Sequence, residues 1–297
     1  MTGDDTCIDE VAVTNAEGIT DAPEAGDPPT GDVVMVLEDS RRLTGPNLLL
    51  DRAGAVLDIE MPDALAEPAI EAWESAARRM LGAIGWDKEQ TAVHRFPGGA
   101  SLAISAPIDA LYAATEVNEW ALAAANKALI NRRSPSLDDE ATRLRGLIVA
   151  ESSPAMIALR DAAGARGVRF LWGDGVVSVG SGTGARSWPI EKIPSPDAVP
   201  WDVINDVPVA LVTGSNGKTT TVRLLGAMIA SAGLVPGVSS TDSVSIGGEP
   251  LVSGDWAGPG GARLVLRDSR VQVAILETAR GGILRRGLAV ERAEAAL

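Results

Sequence analysis

The chain has 297 residues, 45% hydrophobic and 22% charged, which is room for about two globular domains, and no apolar run reaches the ~18 residues of a membrane span. A net charge of −14 and a pI of about 4.6 exclude nucleic acid as a bulk electrostatic partner but leave room for a local anion site. One cysteine, Cys7, excludes an internal disulfide and a cysteine-rich metal centre; one histidine, His94, leaves little scope for a histidine triad or a zinc site; and the N-terminus has no basic flank followed by an apolar stretch, so the expected location is cytoplasmic, away from membranes.

Residues 1–32 carry nine acidic residues and no basic one, and read as a disordered acidic tail or as a partner-binding arm. From Asp32 the pattern changes. "DVVMVLE" and "AVLDIEM" predict strands on either side of "RRLTGPNLLLDRAG", whose Gly45-Pro46-Asn47 is turn chemistry. "EPAIEAWESAARRMLGAIG" predicts a helix that stops at Gly82 or Gly85, "SLAISAP" a short strand, and "IDALYAATEVNEWALAAANKALINRR" a long helix ending at Arg132-Arg133. Together these make an α+β unit over 33–145. His94 in "AVHRFPGGAS" reads as structural rather than catalytic. "RGLIVAE", "SPAMIALRDAAGARG", "VRFLWGD" and "GVVSVGSGTGARSWPIEKIP" then predict strand, helix, strand, strand, the helix starting at Ser153-Pro154. A proline-rich stretch, 194–207, reads as a linker to a second unit over 208–297.

In that unit "PVALVT" is a short apolar strand suited to a parallel sheet, "GSNGK" a turn, and "TTTVRLLGAMIASAG" a helix with Leu224, Leu225, Met228, Ile229 and Ala232 at a 3.6 period. A helix start has amides without intrahelical partners and the positive end of a dipole, so phosphate is its natural guest. Gly214 and Gly217 let the backbone wrap an anion. Ser215, Asn216 and Thr220 complete the loop. Lys218, one of four lysines in the chain, reaches toward terminal phosphates, and the Thr219 hydroxyl is placed for Mg²⁺. The strict phosphate-loop pattern fails at its first glycine, where Val212 stands. The alternative is a structural glycine turn with a solvated lysine. "VQVAILE" (271–277) predicts a second apolar strand with Glu277 at its C-terminal end, where ligands of open α/β sheets bind. There Glu277, across from Thr219, completes a hard-oxygen Mg²⁺ site, or else it is a helix-start carboxylate without metal. Arg280 offers a planar fork for a carboxylate or phosphate; Arg285 and Arg286 read equally as a solvated helix face. Trp256, in the glycine-rich "GDWAGPGGARLVLRD" that stands ready to close over substrate, serves packing or stacking alike.

The shortened loop "GSNGKTTT" resembles that of the Mur ligase family. The stretch 239–288, above all "LETARGGILRRGL", closely resembles the Mur-type half of the cyanophycin synthetase family. "RRLTGPNLL" resembles that family's short opening motif, and "ARGVRFLWGDGVVSVGSGTGARSWPI" resembles the beginning of its ATP-grasp region. The resemblance implies an α/β fold: a partial P-loop Mur-ligase central domain with a parallel sheet over 208–297, preceded by the α+β N-terminal domain. The ATP-grasp module is missing and leaves a vestigial segment at 146–193. It implies ATP and Mg²⁺ as cofactors, Glu277 as metal-binding, Thr241 and Asp242 in the substrate or metal shell, and amide formation between an amino-acid or peptide carboxylate and an amine through an acyl phosphate. For Thr241 and Asp242 a plain Asx or Ser/Thr turn is the other reading, and the family reads Thr-Asp-Gly where this chain has Ser243. Homo-oligomerisation is in keeping with the family. Two other classes stay open: another phosphate-loop NTPase or kinase, and a non-catalytic relic. "RAEAAL" reads as the start of a further strand, so the expectation is a fragment or truncated product, inactive in ligation alone.

Overall fold

The computed structural model describes residues 33–132 and 136–297; the acidic segment with Cys7, and Arg133 at the foreseen helix end, lie outside the described residues. Val33–Leu297 forms one unit of mixed α/β structure with three sheets. Among the described residues no helix is long and apolar enough to cross a membrane.

Strands β1 (Val36–Leu43), β2 (Gly54–Glu60), β3 (Thr91–Phe96) and β4 (Gly99–Ser105) make an antiparallel sheet of order β1-β2-β4-β3. Its strands alternate, so Leu57, Ile59, Leu102 and Ile104 fall on one face, where α1 (Ala66–Ala83) and α2 (Leu111–Leu129) cover them. Trp73 and Asn118 sit at the centre of that core: the indole N–H donates to Asn118 Oδ1 at 2.9 Å, and Asn118 Nδ2 donates to Leu102 O at 2.9 Å. On the other face Leu43, Leu50, Val56 and Ala103 form a small cluster beneath the 44–50 turn. The edge strand β3 carries exposed His94, Arg95 and Phe96, so its apolar signal is weak and the sequence shows only its hairpin partner. α2 ends at Leu129, short of the expected arginine pair, and Asn131 takes a left-handed conformation (φ 53°) just beyond.

The expected strand at "RGLIVAE" is overturned. It is the second half of α3 (Leu137–Glu151). Ser136 caps this helix by accepting from Asp139 N, three acids follow in its first turn, and Ala141 and Leu144 bury against the first core. The apolar run looked like a strand because it was cut from the helical period that precedes it. α4 (Pro154–Ala165) starts on the Ser153 cap as expected. It packs on a small antiparallel sheet of β5 (Phe170–Gly173), β6 (Val176–Val179) and β7 (Arg186–Pro189). The proline-rich stretch after it runs as two 3-10 turns, with Val199 and Ile204 buried.

The third sheet has order β11-β10-β9-β12-β8-β13 and is built from β8 (Val209–Val212), α5 (Lys218–Ser231), β9 (Pro236–Ser239), β10 (Ser243–Ile246), β11 (Glu249–Ser253), α6 (Pro259–Arg267), β12 (Val273–Glu277), α7 (Arg280–Arg286) and β13 (Ala295–Ala296). β9, β12, β8 and β13 run parallel, and β10 and β11 add an antiparallel edge. The short apolar strands are covered on both faces, as parallel strands need to be. Val212, Val238 and Ile275 meet Val222, Leu225 and Ile229 of α5; Val209, Ala274 and Leu276 meet Val265 and Leu266 of α6. The helical period in α5 was legible, but its inward stripe is buried Val222 and Gly226 with half-buried Leu225 and Ile229, while Leu224, Met228 and Ala232 are exposed. Trp256 is half-buried against the α6 core, which favours packing. "RAEAAL" does enter the sheet, as β13 beside β8.

Candidate functional site

β8 and β12 are adjacent and parallel, with Glu277 level with Val212. Strand alternation then decides where Glu277 points. It stands two residues after Ile275, which packs under α5, so it shares the α5 face. The chain leaves β8 at Val212, turns through Gly214–Gly217 and enters α5 over that same face. Gly214 (φ 132°) and Gly217 (φ 80°, the helix N-cap) adopt conformations that L side chains resist, which is why glycines stand there. The first bond into the helix is Thr221 N to Gly217 O at 2.9 Å, so the amides of Lys218, Thr219 and Thr220 have no partner inside the helix.

This arrangement brings three of the expected site residues together. The Thr219 hydroxyl donates to Glu277 Oε2 at 3.0 Å and meets the Thr241 hydroxyl at 3.1 Å; with its proton on the carboxylate, Thr219 accepts from Thr241. Thr241 N also donates to Glu277 Oε2, at 3.4 Å. Glu277 is 1% exposed, and its other oxygen, Oε1, is buried with no hydrogen-bond partner. Lys218 folds back on its own turn, Nζ donating to Gly214 O at 3.0 Å, and so holds a cation at the mouth of the glycine turn. Ser215 and Asn216 are exposed on the turn, and Thr220 is exposed on the first turn of α5.

The remaining candidates stand apart. Asp242 is exposed and ion-paired with Arg223 at 2.6 Å. Arg280 opens α7, exposed, and among the described residues no hydrogen bond joins it to Thr219, Thr241 or Glu277. His94 lies on the four-stranded sheet, away from β12. The sequence left two contributors unnoticed. Arg223 lies four residues after Thr219, hence on the same face of α5, and that spacing was its available signal. Ser240 shapes the turn: its Oγ accepts from Asp242 N and Ser243 N, both at 3.2 Å, and donates to Ser243 O at 3.1 Å. The turn expected of this tetrapeptide is therefore present, and it delivers Thr241 to Glu277. Ser243 has no positive φ, so the position needs no glycine. A cleft of about 980 Å³ lies elsewhere, between Arg52, Ile108, Arg160, Trp172 and Leu288, and none of the candidate residues lines it.

Chemically, the site is an exposed cup of amides with a lysine at its lip and an all-oxygen pocket at its back. No protein-family model matches the chain. A segment of 87 residues, 29% of this chain, is 52% identical to the cyanophycin synthetases of Trichormus variabilis and of a Nostoc species, and 85 residues are 51% identical to that of a Synechocystis species. The match spans about 10% of the length of each of these curated relatives. The chain thus contains a region homologous to part of cyanophycin synthetase.

Proposed function

We propose that Gly214, Ser215, Asn216, Gly217, Lys218, Thr219 and Thr220 bind the triphosphate of ATP, that Thr219 and Glu277 hold its Mg²⁺, and that this site serves an ATP-dependent carboxylate–amine ligase of Mur type, similar to cyanophycin synthetase. One observation carries the reading: Glu277 is buried at the strand end with Oε2 on the Thr219 hydroxyl and Oε1 unpartnered. A buried carboxylate oxygen without a donor is costly, and a hard cation removes that cost. The donor set fits Mg²⁺, which takes one or two protein oxygens and completes its shell with water and phosphate. It does not fit an all-protein cage, and among the described residues no cluster of three metal-ligating side chains exists.

Bound Mg²⁺ would supply neutralisation of the phosphate charge. The chain's own groups do the rest. The amides at the start of α5 donate to phosphate oxygens, and Lys218 exchanges Gly214 O for the terminal phosphates. In this reading a carboxylate oxygen attacks the γ-phosphorus, ADP leaves, and an acyl phosphate forms; an amine then attacks the acyl carbon, and inorganic phosphate leaves with formation of the amide. Such phosphoryl transfer needs positioning and charge cancellation more than covalent help. Arg280, with Thr241 and Asp242, faces the acid substrate, an amino acid or peptide. A cytoplasmic location and a division into parts at 33–145, 146–193, 194–207 and 208–297 belong to the same proposal.

Calorimetry of the whole chain with MgATP tests it. Lys218→Ala is expected to weaken binding by about 10- to 100-fold, from ~1.5–3 kcal/mol per charge-assisted bond. Wild-type protein that takes up no MgATP refutes the reading.

A further inference from the structure

Two motifs that lie far apart in the chain, "RRLTGPNLL" and "ARGGILRRGL", meet in the structure. We infer that the turn Thr44–Pro46 caps α7 from outside the helix, and that it is thereby a positioning element for Arg280, the first residue of that helix. The capping stands on geometry alone; its bearing on catalysis rests on the function proposed above.

α7 is poorly equipped to hold itself. It has seven residues, buries none of them, and carries Gly281 and Gly282 in its first turn. Helices this short are marginal in water, and glycine weakens them further. Of its last four carbonyls, Ile283 O accepts from Gly287 N at the helix end, and those after it have no partner within the helix. The end of β1 and the turn after it supply partners to Leu284 and Arg286. Thr44 donates to Arg286 O twice, through its amide at 2.7 Å and its hydroxyl at 3.0 Å. Arg41 directs Nε and Nη2 at Leu284 O, both at 3.4 Å, and sets a cation at the negative end of the helix dipole. Pro46 O accepts from Leu288 N at 2.7 Å.

The sequence is shaped for this approach. A Cβ on Gly45 would lie 2.0 Å from Leu288 O, and Gly287 (φ 83°) would bring one within 2.6 Å of Gly45 O. Asn47 builds the turn, its Oδ1 accepting from Leu49 N and Leu50 N at 2.9 Å each. Leu43 and Leu50 anchor the turn in the cluster behind the first sheet. Arg41 is itself held by Asp39 at 2.7 Å and Asp58 at 2.6 Å. At its other end, α7 begins three residues after Glu277, and Thr278 N is fixed to Val212 O at 2.8 Å. The helix is therefore tied at its start to the strand pair of the site and at its end to the turn between β1 and β2.

Hydrogen exchange and limited trypsin cleavage on the whole chain decide the matter. Gly45→Val and Thr44→Val are expected to speed exchange of amides 281–288 and cleavage after Arg285 and Arg286, by about tenfold or more for Gly45→Val, because local opening sets both rates. Thr44→Ser keeps the hydroxyl and is expected to restore wild-type rates. MgATP affinity by calorimetry is expected to stay within about twofold, since the Gly214–Thr220 turn does not touch this contact. Unchanged protection of 281–288 in Gly45→Val overturns the inference, as does Thr44→Ser behaving like Thr44→Val, or a loss of MgATP binding in variants of a wild type that binds it. If Gly45→Val also exposes 54–60, Thr44→Val decides: opening confined to 281–288 supports the inference, and none overturns it. Failure of the wild type itself to bind MgATP refutes the phosphate site and leaves the capping to the exchange result.

Discussion

Thr219→Val isolates the contact on which the site turns. The substitution keeps shape and β-branching and removes one hydroxyl. In the wild type that hydroxyl gives Glu277 Oε2 its shorter bond, 3.0 Å; without it the carboxylate keeps only the 3.4 Å amide of Thr241, and Oε1 still has no partner. A hydrogen bond to a charged group is worth about 1.5–3 kcal/mol net, and at 1% exposure Glu277 has no water to substitute for it. The nucleotide-free variant should therefore lose about 2 kcal/mol, which for a domain of this size lowers Tm by roughly 4–8 °C. The second effect concerns ligand. A site filled at 100 times its Kd stabilises the fold by about 2.7 kcal/mol. In Thr219→Val the magnesium-dependent part of that gain should disappear, while the magnesium-free part, held by the glycine turn and Lys218, survives. Thr219→Ser should retain both. Thermal melts with and without ATP, MgCl₂ and both together read the whole set. A variant that melts within 1 °C of wild type, or that keeps its magnesium-dependent shift, would refute the pairing of Thr219 with Glu277 as the cation's seat.

Two further outcomes follow from the scaffold. Asp174 joins the small sheet to α6: it accepts from Arg263 at 2.6 and 3.1 Å, and although burial pushes its carboxyl up, the hydrogen bond and charge of Arg263 hold it below the usual carboxylate value. A depressed folded-state pKa gives stability that is complete above the unfolded value of 3.8 and is lost as pH falls through the folded one. Asp174→Asn, which tolerates the left-handed backbone there (φ 60°), should cost about 1 kcal/mol at pH 7 after allowance for solvent, and the gap to wild type in urea titrations should close below pH 3.8. Asn118→Ala strands the Trp73 indole N–H in the first core, takes one donor from Leu102 O and leaves a hole; about 2–4 kcal/mol should be lost, seen as a lower urea midpoint at unchanged slope.

Much of the site could be read from single residues because its chemistry is local. A glycine turn between an apolar strand and a helix leaves open amides whatever surrounds it, so Gly214 to Thr220 were visible at once. Glu277 needed one more rule, that the C-terminal ends of parallel strands share an edge, and that rule placed it opposite Thr219. The expected strand at 145–151 failed because an apolar run of seven carries no period of its own; only the Ser136 cap and the acids after it declare a helix. β3 was missed because an edge strand with three exposed residues lacks the alternation that marks its neighbours.

Composition and short-range pattern settled the class of structure, the turn and the strand-end carboxylate, because each depends on neighbours a few residues away. The fold alone fixed what depends on distant partners. The sequence does not say that Asp242 is taken by Arg223 or that Thr44 closes a helix 242 residues further on. Those contacts join groups 19 and 242 residues apart, a pairing that no periodicity records, and they exist only once the chain has folded.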